Sequence, residues 1–430
     1  MRARRLAPRN GAILVSLLAA CSAPISSAAG DEPEDSLLGL GDTLTGDWAG
    51  LRADLVRRGI EFGLLATNDA VSVVDGGAEQ ANFYPGLIEP TVGFDLERLF
   101  GWSDTLVFLR GFGMYGRDPS EASGALDTPS NIASPEQTFR IFEAWIERRF
   151  LDERLDVRAG LYALDGEFDV KGVSAVLMNS GFGTGVDLSQ TGLNGPCIYS
   201  TGCLGARVRY RPGSGQYLQL AVMDAVAGDP DDPYGTHVDI GNGEGVLMIG
   251  ESGYERDAES GSFLRAAVGV WYYTSRFDDL LKTDAAGNPA SSRARPGVYA
   301  LLEGELLRET ADGSEGLSGF LRLGTADPAV NQVEYFASAG LAYTGLLDGR
   351  SEDVVAFGVL VPVNGDEYVD AQRLAGSPVE RAEYAFEGAY WMPLLPWLSL
   401  QFGAQYIVNP GTDGALDDAL VLAVRSRIVF

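Results

Sequence analysis

The sequence predicts an all-β fold: a transmembrane antiparallel β-barrel of about sixteen strands, preceded by one short amphipathic helix. Two stretches and the composition carry that prediction. In Leu398-Ser-Leu-Gln-Phe-Gly-Ala-Gln-Tyr-Ile-Val408, the side chains of Leu398, Leu400, Phe402, Ala404, Tyr406 and Val408 share one face, and Ser399, Gln401, Gly403 and Gln405 share the other. A period of two writes a strand with one oily and one polar side. The closing segment repeats the rule, with Leu420, Leu422, Val424, Ile428 and Phe430 set against Val421, Arg425 and Arg427. The 430 residues include 55 Gly, 17 Tyr and 19 Phe at a mean hydropathy of +0.01, which suits many strands joined by turns and is too polar for a bundle of membrane helices. A half-buried strand of a soluble β-sandwich alternates in the same way; length and composition favour the barrel.

Taken in order, Arg2, Arg4, Arg5 and Arg9 precede an apolar run from Gly11 to Ala20, and Ser27-Ala28-Ala29 offers a small-residue cleavage site. Residues 1–29 therefore read as an export signal. Leu18-Ala19-Ala20-Cys21 also fits lipoprotein processing with an acylated Cys21, and the sequence leaves both open. No later apolar run approaches the ~20 residues of a spanning helix, so a membrane crossing requires a closed barrel. Losing the signal takes four Arg and no acid, moving the formal charge from −28 to −32. Such acidity argues against nucleic acid as a partner.

Residues 30–59 form an acidic segment, read as mobile to residue 42, and then a helix. Trp48, Leu51, Leu55 and Val56 fall at helical spacing, Thr45 or Asp47 can cap the start, and Gly59 can end it. Its expected role is packing in or under the barrel mouth. From Ile60 to Phe430 the period is two. Strands are expected near 60–71, 91–98, 105–115, 138–149, 155–162, 203–211, 216–224 and 246–254, then near 263–275, 297–308, 317–325, 334–344, 352–362, 381–392, 398–408 and 419–430. Short links such as Pro393–Trp397 and 348–352 read as periplasmic turns; 116–137, 163–202 and 225–245 read as external loops or a constriction loop folded inward. In an oxidising compartment Cys197 and Cys203 form a disulfide clipping one loop, since a metal site would need more ligands than these and the distant His237 supply.

Gly46-Asp-Trp-Ala-Gly-Leu-Arg52 running on to Arg58-Gly-Ile60, Glu143-Ala-Trp145, the Gly195-Pro-Cys197…Cys203 loop, Gly345-Leu-Leu-Asp-Gly-Arg350 and Tyr406-Ile-Val-Asn-Pro410 occur in that order along the chain. The ordered set resembles the carbohydrate-selective porins of the OprB family, although Ala49 stands where the family motif usually has glycine. The resemblance implies a sixteen-stranded outer-membrane barrel admitting sugars by passive diffusion, with small sugars and outer-membrane lipid as its partners. It implies no cofactor. Barrel-assembly machinery would engage the last strand, ending in Phe430, and association of barrels into homo-oligomers stays open.

A sugar presents hydroxyls on its rim and C–H groups on its faces, so rings beside hydrogen-bonding charges suit a lumen that selects it. With Phe142, Ala144 and Ile146 turned to lipid, Glu143, Trp145 and Glu147 point inward. Arg110, between Phe108 and Phe112, follows the same logic. Further inward candidates are Arg158 with Tyr162, Arg207, Arg209 and Arg211, Arg265 with Trp271, Glu303 and Glu305, Glu383 and Glu387, and Arg425 with Arg427. Many of these charges are expected only to brace the wall. Tyr115, Trp391 and Trp397, near strand ends, read as interface girdle residues. A general or cation-preferring pore without sugar selectivity and a plugged receptor are the competing readings; an enzyme is disfavoured by a single His and by the lack of nucleophile-elbow, phosphate-loop or metal-spaced motifs.

Overall fold

The computed structural model describes residues 43–238, 244–256, 262–311 and 313–430; the expected signal, Cys21 and the acidic segment to residue 42 lie outside them. Sixteen antiparallel strands close into one barrel. They are β1 (Ile60–Gly77), β2 (Gly86–Asp95), β3 (Thr105–Tyr115), β4 (Phe139–Phe150), β5 (Leu155–Tyr162), β6 (Cys203–Gly213), β7 (Gln216–Asp224) and β8 (Val246–Arg256). The second half comprises β9 (Leu264–Tyr273), β10 (Gly297–Arg308), β11 (Gly316–Thr325), β12 (Val333–Thr344), β13 (Val354–Asn364), β14 (Tyr384–Leu395), β15 (Leu398–Val408) and β16 (Asp417–Val429). Each pairs with its neighbour in sequence, and β16 returns to β1 from Leu65↔Val429 to Gly77↔Asp417, which leaves no edge in lipid. A two-residue strand, Asn82–Phe83, adds to β1, and Phe277–Thr283 pairs with Pro289–Ser292 in a separate hairpin. Among the described residues no helix is long and apolar enough to cross a membrane.

Alternation sets the two faces. On β7 the apolar Leu218, Leu220 and Val222 are exposed around the outside while Tyr217, Gln219 and Ala221 are buried inside. An even strand number puts both ends of the barrel sheet at the rim with the short turns, the periplasmic rim of an outer-membrane barrel. The expected strands fall where they were read, with two shifts. β1 runs on to Gly77, and the second strand spans 86–95 rather than 91–98. Pro90 sits where the ladder from β2 to β3 skips from Ile88↔Gly113 to Thr91↔Arg110, so its missing N–H breaks no bond there. Asp95 then ends the strand by accepting from the N–H groups of Glu97 (3.0 Å) and Arg98 (3.2 Å), capping a helix over Leu96–Phe100.

The N-terminal helix spans Leu51–Arg57 after a 3-10 turn, and the Asp47 carboxylate accepts from Ala53 N at 2.9 Å. It docks at the barrel rim, but by a polar residue rather than by its apolar stripe. Trp48 and Leu51 stay exposed, whereas Arg52 is buried and donates to the carbonyls of Phe62 (3.0 Å) and Phe430 (3.1 Å). A guanidinium can satisfy several free carbonyls at the rim where the sheet ladder runs out, which an apolar stripe cannot. Gly59 follows at φ +92°, and a Cβ there would lie 2.8 Å from that of Arg98, so the tight passage from helix to β1 requires glycine.

The largest insertion is the segment from 163 to 202, which folds into the lumen. It packs Leu164, Phe168 and Leu188 against inward rings of β5, β9 and β10, and Val173, Leu177, Met178 and Phe182 against β11–β16. Residues 116–138 fold inward beside it, and the two segments are stitched by Asn131 N to Met178 O (2.7 Å) and Ser180 N to Thr128 O (3.1 Å). The Cys197–Cys203 disulfide closes the end of the longer one.

Candidate functional site

A chain segment lying inside a barrel has no ladder partner, so its N–H groups need other acceptors. Inward carboxylates of the wall supply them. Glu251 accepts from Asp169 N (3.1 Å), Glu303 from Val173 N (2.9 Å), and Glu387 from both Met178 N (2.6 Å) and Asn179 N (2.9 Å). Arg322 of β11 holds Asp169 through Nη2 at 3.0 Å and also pairs with Asp187. Burial alone would raise the Asp169 carboxyl, but Arg322 and Lys171 beside it carry it below the usual range. For the shorter segment, Glu383 accepts from Leu126 N (2.9 Å) and Ser130 Oγ donates to Asp69 (2.7 Å).

The lumen is thereby divided. Along β5–β13 it is filled; along the arc β14–β15–β16–β1–β2–β3–β4 it stays open as a cavity of about 600 Å³, within the range of small-molecule sites. Arg110 and Glu143 stand on this open arc as a registered pair across β3 and β4, Nε to Oε2 at 3.5 Å. Beside them Phe112 stacks on Phe142 at 4.1 Å, with the Tyr199 ring 5.4 Å from Phe112. The expectation that Phe142 faces lipid is corrected here. The ladder of β3 with β4 passes from Arg110↔Glu143 to Gly111↔Ile141, leaving Phe142 as the extra residue of a β-bulge. A bulge re-aims a side chain, so Phe142 and Glu143 both reach the lumen.

Glu89, Arg425, Arg427, Ser399, Gln401 and Trp391 also line the cavity. Arg425 is held by Asp69 (2.8 Å at both oxygens) and by Asn131 (2.7 Å). Trp391 lies on the lumen rather than in the girdle; on β14 the odd-numbered residues Ala385, Glu387 and Ala389 face in, and Trp391 continues that row. That parity was available in the strand itself. Glu89 could have been found the same way had β2 been extended through Pro90. Asp165, from the folded-in segment, joins the wall, and burial pushes its carboxyl up to about 6 although it accepts from Tyr199 N at 2.9 Å.

The other candidates face inward but stand off the cavity. Trp145 is 2% exposed, packed 5.2 Å from Phe108 with the Arg158 guanidinium 3.7 Å over its ring, so it offers no free face. Glu147 and Glu167 bind both Arg158 and Arg207 at 2.6–3.0 Å, and Asp156 pairs with Arg207 and Arg211. Arg209 donates to Gln219 (2.6 Å), Arg265 lies 3.5 Å from Glu251, and Glu305 is paired with Arg308 (2.7 Å). Glu303 anchors the long segment. These groups brace the filled side, because closely spaced opposite charges out of water satisfy each other. Among the described residues no three His, Cys, Asp or Glu cluster as metal ligands.

A family model described as carbohydrate-selective porin, OprB family, matches residues 83–430. Porin B of Pseudomonas aeruginosa is 24% identical over 422 residues, 90% of this chain and 91% of that one. The putative porin QuiX of Acinetobacter baylyi is 23% identical over 421 residues, covering 90% and 93%. Among solved structures, the high-pH structure of Pseudomonas putida OprB superposes with a TM-score of 0.83 at 22% identity, over 92% of this chain and all of that one.

Proposed function

The chain belongs to the carbohydrate-selective porin family OprB, and from that premise we propose that its choice among solutes is made on the open arc, at Arg110 and Glu143. It is a channel of the bacterial outer membrane that lets sugars diffuse through passively. Selection by such a pore needs contacts strong enough to admit a solute and weak enough to release it. The observation that supports the site is the registered Arg110–Glu143 pair on the cavity wall. A guanidinium donates, a carboxylate accepts, and a sugar hydroxyl does both, so a passing sugar exchanges water for charge-assisted bonds on either side of one step. The remaining candidate charges, from Glu147 to Glu305, act through the wall and the inserted segment rather than on the solute. Assembly machinery engaging β16 fits this reading, since β16 makes the last pairing that closes the barrel.

The test is single-channel current in a planar bilayer with glucose titrated in, comparing wild type with Glu143→Gln. The expected outcome is a saturable fall in wild-type current and about tenfold weaker glucose affinity in the variant, the loss of one hydrogen bond to a charged group. Wild-type current indifferent to glucose but ranked by ion charge would favour the cation-preferring pore instead. Equal affinity in both proteins would remove Glu143 from the site.

A further inference from the structure

We infer that Trp391 is the stacking platform of the sugar path, forming with Gln401 and Ser399 a subsite for one pyranose ring at the far end of the open arc from Glu143. The inference rests on the sugar-porin reading and names where ring recognition occurs within it. Of the six tryptophans, Trp391 is the one on the cavity wall; Trp145 and Trp271 are buried, and Trp48 and Trp102 are exposed at the rim. The other rings on the cavity each meet a ring: Phe112 faces Phe142 at 4.1 Å with Tyr199 5.4 Å from Phe112, and Phe182 meets Phe320, which stands off the cavity, edge-on. Among the described residues no ring stacks on Trp391.

Register places polar groups beside it. Trp391 pairs with Gln401, and Gln401 with Arg425, so ring, amide and guanidinium stand in one row across β14, β15 and β16. One row closer to the periplasmic rim, Ser399 pairs with Arg427, and Arg427 with Thr67 on β1. The Gln401 amide is steadied by its own bond from Nε2 to Val176 O, 2.5 Å, which turns its Oε1 to the remaining side as an acceptor. A pyranose has an apolar C–H face and a rim of hydroxyls. An indole at the end of a polar row complements both at once. An open-chain polyol of equal hydroxyl count has no flat face to offer, so the subsite discriminates ring from chain.

The experiment measures current block by glucose and by the open-chain sorbitol in wild type, Trp391→Phe, Trp391→Leu and Trp391→Ala. Salt conductance and the heat-dependent electrophoretic shift of each variant report that the barrel has folded. Wild type is expected to bind glucose more tightly than sorbitol. Trp391→Leu and Trp391→Ala should weaken glucose about 3- to 10-fold and leave sorbitol unchanged, while Trp391→Phe keeps part of the preference. If wild type is blocked and all variants keep its glucose-to-sorbitol ratio, the Trp391 subsite is overturned while the porin reading stands. If wild type is blocked by neither, the sugar reading itself falls. Trp391→Leu, which retains apolar bulk without a ring, decides the matter if Trp391→Ala does not fold.

Discussion

Trp145 shows what a single inward residue can and cannot reveal. Alternation on β4 correctly turned it away from lipid, but alternation reports a face and says nothing of what covers it. The cover is Arg158, brought in from β5 and fixed by Glu147 and Glu167. Truncation to alanine would therefore open a cavity in a packed wall and leave a buried guanidinium without its ring, costing about 3–5 kcal/mol. Trp145→Ala is expected to lower the unfolding temperature of the folded band while surviving channels keep wild-type glucose block. A variant as stable as wild type that had lost the block would return Trp145 to the sugar path. The inward placement of Arg110 and Glu143 was legible because both are charged residues on the polar face of well-patterned strands. Phe142 was not, because a bulge adds one residue without altering composition or hydropathy, and only the β3–β4 ladder exposes it.

At the scale of elements, the strands could be read one by one, since each carries its own record of lipid on one side and water on the other. The segment 163–202 carries no such record. Its course is set by Glu251, Glu303 and Glu387, which are remote in sequence and indistinguishable beforehand from solute-binding acids. Its seam with residues 116–138 has a further property. Asp127 lies there beside Ser180, and burial pushes its carboxyl up to about 7, with Asp187 adding repulsion and the Ser180 hydrogen bond opposing; Glu383 adjoins through Leu126. A carboxyl raised in the folded state favours docking most below its ordinary pKa near 4, and that contribution is lost as pH rises through about 7. The seam should thus open more often at pH 8 than at pH 5, seen as more frequent conductance flicker or faster corrected hydrogen exchange at Asn131 and Ser180. Asp127→Asn should flatten this dependence. Equal opening at both pH values in wild type, or an unchanged slope in the variant, would exclude Asp127 as its source.

For the whole molecule, sixteen strands and closure of β16 onto β1 follow from length and periodicity, whereas the choice of open arc does not. That choice depends on which half of the lumen the inserted segment fills, a matter of volume that no single strand records. The division has an electrical consequence. The chain carries a formal charge of −28, yet the guanidiniums of Arg110 and Arg425 on the open arc are matched by Glu143 and Asp69. With these two pairs matched, the excess negative charge is expected to act on ions as a diffuse field around the channel rather than as a filter along the open arc. A diffuse field is screened over about 10 Å at 0.1 M salt and about 3 Å at 1 M. The reversal potential under a KCl gradient should accordingly show cation preference near 0.1 M that largely disappears near 1 M, while the flux of neutral glucose stays constant. Preference that persisted at 1 M would place unpaired acid at the constriction and make the channel an ion pore that also passes sugar. Preference for chloride would mean that Arg110 of β3 and Arg425 and Arg427 of β16 outweigh their partners. Only a salt-sensitive cation preference with salt-insensitive sugar flux fits a lane in which Arg110 and Arg425 are matched by Glu143 and Asp69 and whose selectivity is for hydroxyls.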